Sequence, residues 1–148
     1  MRWQWSTLDE MTPRALYAAM ALRQEVFVVE QNCVYLDADG GDLRAHHLLG
    51  WHGERLVAYA RVFGPREGRP IVIGRVVTSP RVRGTGLGRP LMRQAMERAW
   101  QAYGPGQIHI SAQAHLADYY GSLGFVVSGE GYDEDGIPHL PMDWRASS

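Results

Sequence analysis

The apolar run Ile71-Val72-Ile73-Gly74-Arg75-Val76-Val77-Thr78 has the length and β-branched content of a buried strand. Just beyond it stand Arg83-Gly84-Thr85-Gly86-Leu87-Gly88, and then a helix-periodic segment beginning near Leu87. A glycine-rich turn between strand and helix constrains the chain more than any other feature. Gly84, Gly86 and Gly88 let the main chain approach a ligand closely, and the amides at a helix start face it with the helix dipole behind them. The turn therefore reads as a loop that holds phosphate without needing a side-chain cation. Two familiar phosphate loops do not fit. Counting from Gly84, the sixth place of a dinucleotide fingerprint is Arg89 instead of glycine, and a P-loop needs a lysine where all fifteen basic residues are Arg. What remains is Arg-x-x-Gly-x-Gly, carried by Arg83, Gly86 and Gly88.

Bulk properties narrow the setting. A chain of 148 residues suits a single domain over residues 1–148, with enough apolar content, 45%, to bury a core. A net charge of −1 argues against a general nucleic-acid binder. The single Cys33 excludes an internal disulfide and a thiolate metal cluster, which predicts a reducing compartment, the cytoplasm by default. No stretch approaches the ~18 apolar residues of a membrane span, and Met1 to Ser6 lack the apolar centre of a signal peptide. The histidines show no paired ligand spacing beyond adjacent His46-His47, so no metal is expected.

Along the chain, Trp3 and Trp5 alternate with polar residues as in an edge strand. Thr12-Pro13 then predicts an N-cap and first helical residue, with the helix running to about Phe27 and turning Leu16, Met20, Val26 and Phe27 to the sheet. Val28 to Asp42 reads as an irregular loop, followed by strands at Ala45–Trp51 and Arg55–Phe63 about a turn at His52-Gly53-Glu54. Leu91, Met92, Ala95, Met96, Ala99, Trp100 and Tyr103 form the buried stripe of the helix after the glycines. Gln107–Ala112 predicts a strand, Leu116–Leu123 a short helix, and Val126–Tyr132 with Pro138–Trp144 two last strands around Asp133–Gly136, where a homodimer edge is conceivable. This order gives an α/β fold.

The Arg83–Gly88 loop resembles the acetyl-coenzyme A loop of the GCN5-related N-acetyltransferases, the GNAT superfamily. Tyr120-Gly121-Ser122-Leu123-Gly124-Phe125 resembles the Tyr-x-x-x-Gly-Phe segment of the same superfamily. Val26 to Cys33, His47 to Trp51 and Glu134 to His139 are similar to its ElaA-type branch. The resemblance covers nearly the whole chain and implies a central mixed, mostly antiparallel, twisted sheet flanked by helices. It also implies acetyl transfer from acetyl-coenzyme A to a small-molecule or peptide amine. The main chain of Val76, Val77 and Thr78 would then hold the pantetheine arm, and Arg83, Gly84, Thr85, Gly86, Leu87, Gly88 and Arg89 the pyrophosphate. Gln113 stands where many members carry a cofactor-binding Asn, and Tyr120 at the proton-donor position.

Such chemistry needs a neutral amine, an oxyanion donor and a proton for the departing thiolate. The base is left open among Glu25, Glu30, His46, His47, His115 and His139. Glu30, in the expected loop, is also a substrate candidate, while His47 alternates with Leu49 and Trp51 and reads more readily as a satisfied, half-buried histidine than as a base. Asp37, Asp39 and Asp42 would either attract a cationic acceptor or form a solvated turn. Two other readings remain: a longer-chain acyltransferase of this fold, and a coenzyme A-binding sensor without turnover.

Overall fold

The computed structural model describes residues 1–145; residues 146–148 of the expected domain lie outside the described residues. Eight strands form one open sheet in the order β1-β2-β3-β4-β5-β8-β6, with β7 also paired to β8. They are β1 (Arg2–Thr7), β2 (His46–His52), β3 (Arg55–Phe63), β4 (Ile71–Thr78), β5 (Ile108–Gln113), β6 (Val126–Val127), β7 (Tyr132–Glu134) and β8 (Ile137–Trp144). Every pairing is antiparallel except β4 with β5, so the sheet is mixed and mostly antiparallel as expected.

Helix α1 (Pro13–Arg23) covers one face and α2 (Gly88–Tyr103) the other, because β2 and β3 are apolar on both sides. Leu48, Ala58 and Ala60 point to α2, where Leu91, Met92, Ala95 and Ala99 are buried, while Leu49 and Tyr59 point to α1. Thr12 caps α1, its hydroxyl oxygen accepting from the Ala15 amide at 3.1 Å. The residues α1 buries are Ala15, Ala19, Leu22 and Arg23, whereas Leu16 and Met20 sit half-buried at its flanks. The alanines let the helix approach the sheet, and the larger side chains bracket the contact.

Past Arg23 the helix continues as a π-helical stretch, Gln24–Glu30, so Glu30 ends a helix and does not lie in an irregular loop. No glycine or proline stands in Gln24–Glu30 to stop it. The last short helix is a 3₁₀ turn, Ala114–Leu116, leading into α3 (Ala117–Gly121). The strand expected over Val126–Tyr132 is broken in two. Gly129 and Gly131 interrupt it, and facing β8 carries Pro138 and Pro141, which donate no amide.

Candidate active site

Strands β4 and β5 pair only at Ile71 with Ile108 and Val72 with His109. Beyond that point they part. The cause lies on the other edge of β4, where Tyr59 faces Val77 but Arg61 faces Gly74, so β4 carries one extra residue. Such a bulge bends its strand. It centres on Arg75, whose φ of +50° is unusual for a side chain with a Cβ. The Arg75 guanidinium is anchored to Asp37 (Nε–Oδ1 2.8 Å) and Asp39 (Nη2–Oδ2 3.3 Å), contacts that hold the strained backbone in place.

The parting strands open a cleft of about 220 Å³. One wall is Gly74 to Thr78, the other Ile110, Ser111 and Gln113, with Tyr120, Arg83 and His139 around it. At one end lies the glycine loop. Gly84 and Gly86 take φ of +83° and +80°, a region costly for residues with a Cβ. Leu87, which precedes α2, supplies no side-chain cap, and its first-turn amides are left for a ligand. Thr85 is spent locally, its hydroxyl donating to the Val82 carbonyl at 2.5 Å. Arg89 turns away to donate to the Ser122 hydroxyl at 2.9 Å, leaving its main chain at the loop.

Tyr120 is 8% exposed and lines the cleft, and burial followed by neighbouring Tyr119 pushes its phenol up to about 12. It is therefore fully protonated at neutral pH. Tyr119 packs elsewhere: its hydroxyl has no hydrogen-bond partner and lies 3.3 Å from where a Cβ on Gly88 would sit. Gln113, at the end of β5, reaches the same cleft.

The base candidates are scattered. Glu30 lies outside the cleft wall and pairs with Arg83 at 2.6 Å. His47 is 2% exposed under α1. Its Nε2 lies 3.0 Å from the Asp42 carbonyl, which only accepts, so Nε2 carries the proton and Nδ1 accepts from the Tyr59 hydroxyl at 2.5 Å. Desolvation pulls its pKa down. Both nitrogens of His47 are thus occupied, and the residue does not line the cleft. His46 stacks on Trp5 at 4.9 Å, His115 is exposed, and Glu25 faces Arg81 at 3.7 Å. Of the six, His139 alone lines the cleft.

Nor do the loop aspartates form a solvated turn or an open cation trap. Arg23, 1% exposed, donates to Asp37 and Asp42 at 2.7 Å each, and Arg61 donates to Asp39 at 2.8 and 3.0 Å. The hydrogen bond from Arg61 holds the Asp39 carboxyl far below the usual carboxylate range. Burial alone would lower the Arg23 pKa, but Tyr59, Asp42 and Asp37 outweigh it and hold the cation.

A sheet split at a bulged strand, with a glycine loop at one end of the split, defines the acyl-coenzyme A-dependent transferase fold. Residues 9–146 match the acetyltransferase (GNAT) domain, and the chain belongs to that family of N-acetyltransferases. It is 43% identical over 145 residues to ElaA of Escherichia coli, covering 96% of this chain and 95% of that protein. The crystal structure of the same ElaA aligns at a TM-score of 0.92, over 98% of this chain and all of that one, which bears out the ElaA-type resemblance. An acyl-CoA N-acyltransferase from Pseudomonas aeruginosa also aligns at 0.92, with 44% identity over 97% of this chain and 99% of that one. The chain is an acyltransferase of a fold that binds acyl-coenzyme A and acts on amines. Among the described residues, no helix is long and apolar enough to cross a membrane.

Proposed function

We propose that the protein transfers an acetyl group from acetyl-coenzyme A to a primary amine by direct attack within a ternary complex. The observation that carries this reading is the parting of β4 from β5 beside Tyr120. An extended pantetheine arm fits that gap as an added strand, hydrogen-bonded to the main chain of Val76, Val77 and Thr78 with Gln113 opposite. Its pyrophosphate rests on the amides from Gly84 to Arg89, with Arg83 beside it. An amide of Val76 or Val77 then meets the oxyanion that develops on the thioester carbonyl.

Tyr120 protonates the departing sulfur. A phenol near 12 is a weak acid beside a free thiol of about 8.5, but the thiolate leaves into the same desolvated cleft, and desolvation raises its proton affinity too. Glu30 serves the donor loop by steadying Arg83 until the phosphates arrive, and His47 serves the fold. No covalent enzyme intermediate is needed: Cys33 spends its thiol on contacts of 3.5 Å to the carbonyls of Gln31 and Asp135.

The test is thiol release from acetyl-, butyryl- and octanoyl-coenzyme A with polyamine, amino-sugar, amino-acid and peptide acceptors. Turnover highest with the acetyl donor supports the reading. A preference for the octanoyl donor makes the protein a longer-chain acyltransferase, and tight binding without turnover makes it a sensor.

A further inference from the structure

His139 is held so that one nitrogen is free to work. Its strand is joined to β7 by a two-residue turn, Asp135-Gly136, with both residues at positive φ (+53° and +83°), which sets Tyr132 opposite His139 and Glu134 opposite Ile137. The Tyr132 ring stacks on the imidazole with centroids 6.1 Å apart. Nδ1 lies 2.7 Å from the Ile137 carbonyl oxygen, which only accepts, so Nδ1 carries a proton and donates it there. That leaves Nε2 as the basic nitrogen, 3.3 Å from Glu134 Oε2.

An ionised carboxylate also only accepts. Two facing lone pairs call for a hydrogen-bond donor, and an N–H cation supplies both the hydrogens and the charge that the carboxylate favours. Both residues line the cleft, and Glu134 is half-exposed at its rim beside the exposed Asp135. The cation in the opposite wall, Arg75, is already engaged by Asp37 and Asp39. The free charge on this side of the cleft is negative.

We propose that Glu134 and His139 form the acceptor site, that the acceptor is an aliphatic primary amine arriving as its ammonium ion, and that His139 is the general base. This deepens the acetyl-transfer reading and rests on it. The ammonium donates to Glu134 Oε2 and passes one proton to His139 Nε2, giving a free amine and an imidazolium beside a carboxylate. The nitrogen lone pair forms the C–N bond as the carbonyl π pair moves to oxygen. The tetrahedral centre collapses, the C–S bond pair leaves on sulfur, and sulfur takes the Tyr120 proton. A second nitrogen proton restores Tyr120, and His139 returns its proton to water. One ammonium and one thioester give one amide, one thiol and one proton.

The test uses the full chain, acetyl-coenzyme A, three ammonium probes (spermidine, tyramine and glucosamine) and hydroxylamine, which needs no deprotonation at neutral pH. His139→Gln keeps a donor for the Ile137 carbonyl but has no basic nitrogen. It lowers kcat about 100-fold with whichever ammonium probe the wild type accepts. Its loss with hydroxylamine is at least about tenfold smaller, and acetyl-coenzyme A affinity by calorimetry is unchanged. Glu134→Gln, at an exposed position that the fold tolerates, raises KM for ammonium probes about tenfold more than it lowers kcat. An unchanged kcat in His139→Gln, equal losses with hydroxylamine and ammonium, or an unchanged KM in Glu134→Gln overturns this assignment and leaves acetyl transfer standing. A wild type that releases no thiol with any probe overturns acetyl transfer itself.

Discussion

Beneath α1, Arg23, Arg61 and Arg75 meet Asp37, Asp39 and Asp42 in a network where every carboxylate has an arginine and, among the guanidinium nitrogens, Arg61 Nε is left buried without a partner. Across the bulge at Arg75, in the cleft between β4 and β5, the edge of β4 that faces β5 is unpaired beyond Val72, and His139 Nε2 faces a second acceptor. The two regions share Arg75, one as an ion-pair partner and the other as the kink that opens its wall. Matched charges make a rigid support; polar groups left without a match are what a substrate can complete. Stability and activity should therefore respond to different substitutions.

The largest effect belongs to the cleft. Tyr120→Phe lowers kcat about 10²- to 10⁴-fold with acetyl-coenzyme A affinity and melting temperature unchanged, as read by steady-state kinetics, calorimetry and thermal melts. Next is the support: Arg23→Met takes one of two arginines from each of the buried Asp37 and Asp42, which keep only Arg75 and Arg61, and costs up to about 3–5 kcal/mol in urea unfolding. If its cost were below that of an ordinary surface change, the matched network would not be what holds the wall. Gly86→Ala forces a Cβ into a φ of +80°, at about 1–2 kcal/mol, and that strain is read as weaker acetyl-coenzyme A binding.

A smaller effect is set by pH. His47 has a folded pKa below its unfolded value of 6.5, so the unfolded chain takes up a proton first as pH falls, and stability declines from about 6.5 downward. His47→Gln should flatten the stability curve in that window. Smallest is Glu30→Gln: an exposed pair to Arg83 contributes about 0–1 kcal/mol, so folding is unchanged and acetyl-coenzyme A binds slightly tighter once Arg83 is free. A kcat loss comparable to that of Tyr120→Phe would instead place Glu30 in the chemistry.

Locally encoded features were legible in the sequence. Thr12-Pro13 announces α1, the bounds Ile71–Thr78 and Arg55–Phe63 follow from largely apolar runs between turn residues, and the glycine loop stands where its spacing places it. Features that depend on distant partners were not. Arg23 looks like an ordinary last-turn arginine until Asp37 and Asp42, 14 and 19 residues later, fold back on it. The bulge at Arg75 carries no glycine at the residue of positive φ, so no turn signal marks it. His139 could be counted among six histidines and glutamates, but only the hairpin through Asp135-Gly136 shows that its Nδ1 is occupied and its Nε2 is not.

The central claim is that the gap opened by the β4 bulge receives the acyl donor. The most direct measurement is a titration of isotope-labelled protein with acetyl-coenzyme A, followed amide by amide by NMR. The account predicts the largest shifts at Val76 to Thr78 and Gly84 to Arg89, with the amides of α1 before the π-helical stretch little changed. Saturable shifts confined to other surfaces, or none at millimolar ligand, would contradict it.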